Sequence, residues 1–220
     1  MSRIKTVPVK NTVVVKNDKV VQAAQEVFLR YGFKRVTMAD IAEAADMSRP
    51  ALYLVFPSKE EIFTAVVSRV FAAMLDEIRQ GLNRDLTVGE KLRFAFDIWC
   101  VRPFEIYQRS PDAKDLYESS FQFATEVTTQ AFSRFDALVT DIIEPLMARQ
   151  AKVKLSSGQI AHLLSCAVLG FKSATTSTVQ LRDLIAGLIN VVLASLDYPG
   201  TIEKRRRKPA KMPVNFGPRS

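Results

Sequence analysis

Two short helical segments within residues 37–56, separated by a three-residue break, constrain the fold of this chain more than any other feature. Thr37 precedes the first segment, and Asp40 follows it at the spacing of a capping box, in which each residue satisfies a backbone amide of the other. Ser48 offers a hydroxyl to cap the second segment, and Pro50 falls in its first turn, where a missing amide hydrogen costs little. Two short helices joined this tightly predict a helix-turn-helix unit.

A longer helix is predicted before this unit. It begins at Asn17 or Asp18 as the amino-terminal cap and ends at Gly32, a residue that stops helices readily. Its apolar side chains recur on one face: Val20, Val21, Ala24, Val27, Phe28 and Tyr31. In the break between the two short helices, Asp46 occupies a position that calls for a left-handed backbone, which aspartate tolerates better than most residues. These features predict a three-helix domain.

Helical periodicity continues through the rest of the chain. The predicted segments are Ser58 to Gln80, Val88 to Val101, Pro103 to Arg109, Ala113 to Gln150, Ser157 to Thr175 and Val179 to Leu196. Only 8 glycines are available for turns and phosphate-binding loops, which also favours helices. We therefore predict an all-α protein with a helix-turn-helix domain at 18–64 and a larger helical domain at 65–198.

The positive charge of the chain is concentrated at its two ends. Of the net charge of +8, residues 1–17 contribute +4 and residues 203–220 contribute +6, which leaves −2 for the segment 18–202. We predict a flexible basic arm at 1–17 and a disordered basic tail at 199–220. Such ends add sequence-independent attraction to a phosphate backbone.

No sequence feature indicates a leader, a membrane span or a metal centre. The apolar runs are too short for a secretory signal or a bilayer-spanning helix. Cys100 and Cys166 belong to no metal-binding or disulfide spacing, a phosphate-binding loop is absent, and His162 is the one histidine for acid–base work. We expect a soluble, cytoplasmic, non-enzymatic protein with no cofactor and no metal.

The segment VVQAAQEVFLRYGFKRV (20–36) followed by TMADIAEAADMSRPALYLVFPSKEEIF (37–63) resembles the DNA-binding domain of the tetracycline-repressor (TetR/AcrR) family. A Tyr-Gly stop, Thr-x-x-x-Ile-Ala-x-x-Ala, Ser-x-x-x-Leu-Tyr-x-x-Phe and Ser-Lys-Glu-Glu follow one another at the family's spacing. No motif-level likeness extends past about residue 70. The resemblance implies a homodimeric transcription regulator. Its domain at 18–64 would bind double-stranded DNA, and its domain at 65–198 would be the regulatory, effector-binding and dimerisation domain that responds to a small molecule.

The resemblance and the position of the third helix together predict the DNA contacts. Side chains at the front of a recognition helix reach base edges, which assigns base readout to Arg49, Pro50, Ala51 and Val55. The family's phosphate-contacting positions correspond here to Thr37, Ser48, Tyr53 and Lys59. Many relatives have a histidine where this chain has Val55, so a polar contact is replaced by an apolar one. The alternatives are a solvated surface charge for Arg49 and Lys59, and plain packing for Tyr53.

Two predictions concern the C-terminal domain. Six aromatic residues of its middle helices suit an apolar effector cavity, with plain core packing as the alternative: Phe94, Trp99, Phe104, Tyr107, Tyr117 and Phe121. The family pairs its last two helices across a two-fold axis, and the segments 157–175 and 179–196 are apolar over wide arcs here. That breadth favours a four-helix bundle between two subunits over burial inside one.

The leading functional prediction is a repressor that a small-molecule effector releases from a palindromic operator. The alternative is a helical interaction or scaffold protein that has lost specific DNA binding. Val55 and the absence of net positive charge in the body favour this alternative.

Overall fold

A computed structural model describes residues 9–147 and 154–196 of the chain. All of the regular secondary structure in these residues is helical. The helices are α1 (Val9–Arg35), α2 (Met38–Ala44), α3 (Arg49–Tyr53), α4 (Lys59–Gly81), α5 (Val88–Phe96), α6 (Arg102–Arg109), α7 (Pro111–Phe123), α8 (Thr125–Met147), α9 (Ser157–Ala174) and α10 (Thr178–Ser195). One π-helical turn, Asp97–Val101, joins α5 to α6. The prediction of an all-α fold is confirmed.

The local signals around the two short helices are formed as predicted. Thr37 and Asp40 make the reciprocal capping box at the start of α2. The Ser48 hydroxyl accepts the backbone N–H of Ala51 at the start of α3. Asp46 has a φ of 51°, the left-handed conformation expected in the turn. The helix-turn-helix unit is therefore built from sequence signals that act within three or four residues.

Buried apolar residues form two clusters that share α4. The amino-terminal core joins α1, α2, α3 and the first turns of α4, and Phe28, Ile41, Leu52 and Ile62 are almost completely buried in it. The carboxy-terminal core joins the later turns of α4 with the helices from α5 onward. Because Val66 and Val67 still pack in the amino-terminal core, the predicted boundary at residue 64 falls inside a continuous helix that belongs to both units.

The first helix begins earlier than the sequence predicted. It starts at Val9 rather than at Asn17 or Asp18, so the part of the predicted arm from Val9 onward is helical. Extending an existing helix adds one hydrogen bond for each residue ordered, whereas nucleation is the costly step, so a segment without apolar periodicity can continue a helix. Residues 1–8 and the predicted tail at 199–220 lie outside the described residues.

The helix predicted from Ala113 to Gln150 is two helices. The break lies at Ala124, whose φ of −122° and ψ of 35° end α7, and α8 begins at the next residue. Ala124 is 2% exposed and packs in the amino-terminal core. Tertiary packing, which periodicity within one segment does not report, thus overrides a continuous helical pattern. Pro145 lies inside α8.

Candidate DNA-binding surface and ligand cavity

The third helix is held by its back and exposed at its front. Leu52 is 0% exposed and anchors α3 in the amino-terminal core, while Ser48, Arg49 and Pro50 at its start are exposed. The helix ends at Tyr53 rather than near Phe56, and a turn follows in which the amide of Val55 bonds to the Leu52 carbonyl three residues earlier. The start of α3 is therefore free of protein contacts on its outer side.

The four side chains predicted to read bases lie on two parts of this surface. Arg49 and Pro50 are exposed at the tip of α3, and Ala51 beside them is partly buried. Val55 follows the helix in the turn and is also partly buried. Sequence reasoning missed Leu54, which is 89% exposed between Tyr53 and Val55. The signal that could have identified Leu54 is its position outside the apolar pattern of the short helix.

The Thr37 hydroxyl, predicted to contact a phosphate, is engaged inside the protein. It donates to Asp40 Oδ2 at 2.8 Å and accepts the Asp40 N–H at 3.3 Å. The Thr37 backbone N–H also donates to Asp40 Oδ2, at 2.8 Å. Hydrogen bonds from the Thr37 backbone and side chain hold the pKa of Asp40 below its ordinary value, so this carboxylate is ionised at neutral pH. A phosphate at Thr37 would find the hydroxyl hydrogen already bonded to Asp40 and would be repelled by the negative charge of that carboxylate.

Lys59, also predicted to contact a phosphate, ties α4 to the end of α1. Its Nζ donates to the backbone oxygens of Phe33 at 3.0 Å and Val36 at 2.9 Å and lies 4.3 Å from the centroid of the Phe33 ring. These bonds satisfy carbonyls at a helix end that have no partner within the helix. Ser48 and Tyr53 are exposed, so two of the four predicted phosphate contacts keep accessible hydroxyls.

We expect Lys59→Met to lower the free energy of unfolding by about 1–3 kcal/mol, because the variant loses two charge-assisted hydrogen bonds to the backbone carbonyls of Phe33 and Val36. Urea unfolding at pH 7 measures this change. Lys19→Met is the matched control, since Lys19 is exposed and pairs with Asp46 at 3.6 Å, an interaction worth at most about 1 kcal/mol. Unchanged stability of the Lys59 variant would contradict the structural role and favour a phosphate contact.

A cavity of about 400 Å³ lies between the helix-turn-helix unit and the helices that follow it. Four of the six predicted aromatic residues line it: Trp99, Tyr107, Tyr117 and Phe121. Phe94 and Phe104 do not, which corrects the prediction for both. Phe94 instead covers Gly81, where an added Cβ would lie 2.1 Å from its ring, and Phe104 is 1% exposed in the carboxy-terminal core. Aromatic content places a helix near a cavity but does not say which face lines it.

The helix-turn-helix unit forms one wall of this cavity. Phe28 and Leu29 of α1 line it together with Phe63 of α4, and α7 contributes Leu116. On the opposite side Trp99 stacks on Phe135, with ring centroids 4.6 Å apart and planes within 4°. A molecule in the cavity would therefore touch both packing units. Within the part of the chain that the structure describes, no group of three metal-binding side chains is assembled.

The end of α1 is tied to α7 by charged groups. Lys34 donates its backbone N–H to Asp115 Oδ2 at 3.0 Å, and its Nζ lies 3.2 Å from Asp115 Oδ1. Arg35 donates a hydrogen bond to Asp112 Oδ1. Gly32, at φ 74° and ψ 172°, interrupts α1 in a conformation essentially confined to glycine and allows this approach. Since α7 also lines the cavity, these contacts connect the cavity to the helix-turn-helix unit.

We expect Asp115→Asn to lower the free energy of unfolding by about 1–2 kcal/mol at pH 7. Desolvation raises the pKa of Asp115, but the hydrogen bonds and charge of Lys34 lower it more, so the folded-state pKa lies below the ordinary value. The stabilisation is complete above the unfolded-state pKa of about 3.9 and is lost as the pH falls through the folded-state value. Urea unfolding at several pH values should show the wild type and the variant converging in acid.

Glu118→Gln is the control for this prediction. Glu118 lies on α7, is exposed, and pairs with Lys114 at 3.8 Å. Its removal should change stability by less than about 1 kcal/mol at every pH. Equal stability of wild type and Asp115→Asn at pH 7 would show that the charge of Asp115 contributes nothing to the contact between α1 and α7.

Comparison with known proteins identifies the family. The sequence model described as bacterial regulatory proteins, tetR family, matches residues 20–66. An uncharacterized HTH-type transcriptional regulator of Mycobacterium bovis is 35% identical over 179 residues, which span 78% of this chain and 84% of the relative. The chain belongs to the tetR family. The HTH-type transcriptional activator FasR of Mycolicibacterium smegmatis is 26% identical over 159 residues, or 72% of this tetR-family chain and 68% of FasR.

A solved structure confirms the fold of this tetR-family protein. The structure of Thermus thermophilus FadR, a TetR-family transcriptional repressor in complex with lauroyl-CoA, covers 90% of this chain and 100% of its own. The TM-score is 0.55 and the sequence identity 23%. The protein is thus a tetR-family transcriptional regulator, and its relatives are transcriptional regulators rather than enzymes.

The last two helices of this tetR-family chain leave apolar surface uncovered. On α9, Leu163 is 55% exposed in a stripe with three other exposed residues: Gln159, Cys166 and Gly170. On α10, Val179 and Val191 are each 68% exposed. Side-chain atoms added at Gly170 or Gly187 would meet nothing within 4 Å. Both helices therefore present a smooth, unoccupied face.

Helix α10 is strongly apolar. Thr178–Ser195 has a mean hydropathy of 1.3, and by length and composition alone it meets the requirement of a membrane-crossing helix, a requirement that core helices of soluble proteins also meet. At 1.5 Å per residue it is roughly 27 Å long, against a hydrocarbon core of about 30 Å. Only 22% of its residues are buried within the chain, and the exposed remainder includes the apolar side chains of Val179 and Val191.

Proposed function

We propose that this tetR-family protein is a cytoplasmic, dimeric repressor that binds a palindromic operator through α3 and releases it when a small molecule occupies the cavity. The outward presentation of Arg49 and Pro50, on a helix anchored by Leu52, is the observation that carries the proposal. A helix exposed at its front can enter the major groove and reach base edges. In this proposal residues 18–64 bind DNA, and 65–198 bind the effector and the second subunit.

Each exposed side chain around α3 has a distinct part in the proposal. Arg49 grips guanine O6 and N7 together, the commonest specific contact in the major groove. Pro50 and Ala51 lie beside the base edges, and Val55 contacts a thymine methyl. The hydroxyls of Ser48 and Tyr53 bind phosphates, with Thr37 and Lys59 in supporting positions.

The second subunit is proposed to cover α9 and α10. An uncovered apolar helix in water is stabilised by burial, and two copies of one face packed about a two-fold axis bury it on both subunits. Residues 157–175 and 179–196 then form a four-helix bundle with their mates. Glycines at positions 170 and 187 allow close helix approach.

Effector binding is proposed to act through the shared wall of the cavity. Phe28 and Leu29 of α1 and Phe63 of α4 belong both to this wall and to the DNA-binding unit. A molecule that prefers a different position of these helices shifts the population away from the DNA-bound arrangement by its differential affinity. The contacts of Asp112 and Asp115 with α1 provide a second connection, through α7.

Selection of bound sequences from random double-stranded DNA tests the proposal. A two-fold dimer should enrich a palindrome whose half-site centres lie about one helical turn apart, roughly 34–36 Å, or a multiple of it. Binding to the selected duplex is then measured by fluorescence anisotropy over a range of salt concentrations. Enrichment of no palindrome, with the protein dimeric, would favour the scaffold alternative.

A further inference from the structure

One cationic side chain in the cavity lining has no anionic partner within the described part of the chain. Lys172, in the last turn of α9, lines the cavity with its Nζ 4.0 Å from the centroid of the Tyr117 ring. Among the described lining residues, the other two that carry charge are Glu77 and Arg102, which pair with each other at 2.6 Å. Among residues 9–147 and 154–196, no carboxylate lies within 4.0 Å of Lys172 Nζ. The lining thus carries one uncompensated positive charge.

The groups that face Lys172 do not neutralise it. Burial raises the pKa of the Cys100 thiol to about 11, and burial also raises the pKa of Tyr117, so both are uncharged at neutral pH. Tyr107, the third nearby titratable group, is a phenol as well. Burial lowers the pKa of Lys172 itself. A partly buried cation without a counter-ion is unfavourable, and an incoming anion relieves that cost.

The two serine hydroxyls that line the cavity are already engaged. The Ser120 hydroxyl donates to the backbone oxygen of Tyr117 at 2.7 Å, and the Ser165 hydroxyl donates to Asp136 Oδ1 at 2.5 Å. Both serines are less than 10% exposed. Most of the remaining wall is hydrocarbon or aromatic. The described lining therefore offers one positive charge without a counter-ion, at Lys172, in a mostly apolar surround.

We propose that the cavity binds an apolar carboxylic acid whose carboxylate pairs with Lys172 and whose hydrocarbon part lies along the aromatic wall toward α1. This inference specifies the ligand of the effector site and rests on the proposed function for its regulatory meaning. A volume of about 400 Å³ falls in the range of small-molecule sites. A single polar anchor in an apolar cleft fixes the orientation of such a ligand.

Equilibrium binding of dodecanoate and dodecanol to the full chain tests the inference. The two probes share a hydrocarbon chain and differ in charge. Trp99 is the only tryptophan of the sequence and lines the cavity, so its fluorescence reports binding of either probe. We expect dodecanoate to bind about tenfold or more tightly than dodecanol. Lys172→Met should abolish that preference and leave the dodecanol affinity unchanged within about twofold, while Lys172→Arg should keep it.

Lys114→Met is the matched control, because Lys114 is 55% exposed on α7 and does not line the cavity. Its preference for dodecanoate should equal that of the wild type. Removal of an unpaired, partly buried cation should not impair folding, and urea unfolding of both variants verifies this. Equal affinity of the wild type for the two probes, or an undiminished preference in Lys172→Met, would overturn the inference.

Dodecanoyl-CoA separates a carboxylate from another anion, since its acyl chain ends in a thioester and its negative charge lies on phosphates. If the affinity for dodecanoyl-CoA depends on Lys172 and the affinity for dodecanoate does not, the carboxylate assignment is overturned. These measurements use no DNA, whereas the selection of operator sequences uses no ligand. Failure of the carboxylate inference and failure of the proposed DNA-binding function are thereby distinguished.

Discussion

Leu163→Glu is expected to convert the proposed dimer to a monomer and to weaken operator binding by about 100-fold or more. Leu163 is 55% exposed at the middle of the uncovered α9 stripe, next to Cys166 and Gly170. A charge at the centre of a two-fold interface meets its own copy and loses water without gaining a partner. A monomer engages one half-site and loses the effective concentration that links the two.

Sedimentation equilibrium gives the oligomeric state, and fluorescence anisotropy on the selected duplex gives the affinity. Ile106→Glu is the control, because Ile106 is 54% exposed at the cavity rather than on α9 or α10. This variant should remain dimeric and fold normally. Val191→Glu, on the exposed face of α10, should act like Leu163→Glu. A Leu163→Glu protein that stays dimeric would remove α9 from the interface.

The helix-turn-helix unit could be predicted because its signals are local. The Thr37 and Asp40 capping box, the Ser48 cap and the left-handed Asp46 each depend on neighbours within four residues. Burial of Leu52 follows from the same periodicity. The exposed start of α3 is then a geometric consequence of two short helices crossing on a third.

Features that depend on contacts between distant segments could not be predicted from the pattern. Ala124 breaks a continuous helical sequence because it packs in the amino-terminal core. Lys59 looks like a surface lysine in sequence, yet its ammonium binds two carbonyls of a helix that ends more than twenty residues earlier. The partner of a long polar side chain is decided by tertiary packing, which leaves no periodic trace.

The residues that line the cavity also depend on contacts between distant segments and could not be predicted individually from the sequence. Aromatic residues on α6 and α7 are frequent enough to indicate an apolar cleft, but Phe104 faces the core while Tyr107, less than one turn later, lines the cavity. Lys172 carries no motif and lies in α9, a helix that the sequence analysis assigned to dimerisation. The structure places its Nζ over the Tyr117 ring at the cavity, so the proposal of a carboxylate ligand depends on structure rather than on sequence.

Arg49→Ala is expected to weaken binding to the selected operator by about 1–3 kcal/mol in each half-site, or about 30-fold or more for a dimer that engages both. The exposed Arg49 at the tip of α3 loses a bidentate contact to one guanine, which adds little to the affinity for other sequences. The loss should therefore be confined to duplexes that carry that base pair. Replacement of the base pair should weaken the wild type and leave the variant almost unchanged, the pattern of a direct contact.

Arg69→Ala provides the control, since Arg69 is exposed on α4 away from the start of α3. It carries the same charge, so a purely electrostatic role of Arg49 would make the two variants equivalent and would lower affinity for all sequences alike. Anisotropy titrations of both variants against the selected duplex and its single base-pair substitutions distinguish these cases. A uniform loss in Arg49→Ala would reassign Arg49 from base readout to the phosphate backbone, and no loss at all would favour the scaffold alternative.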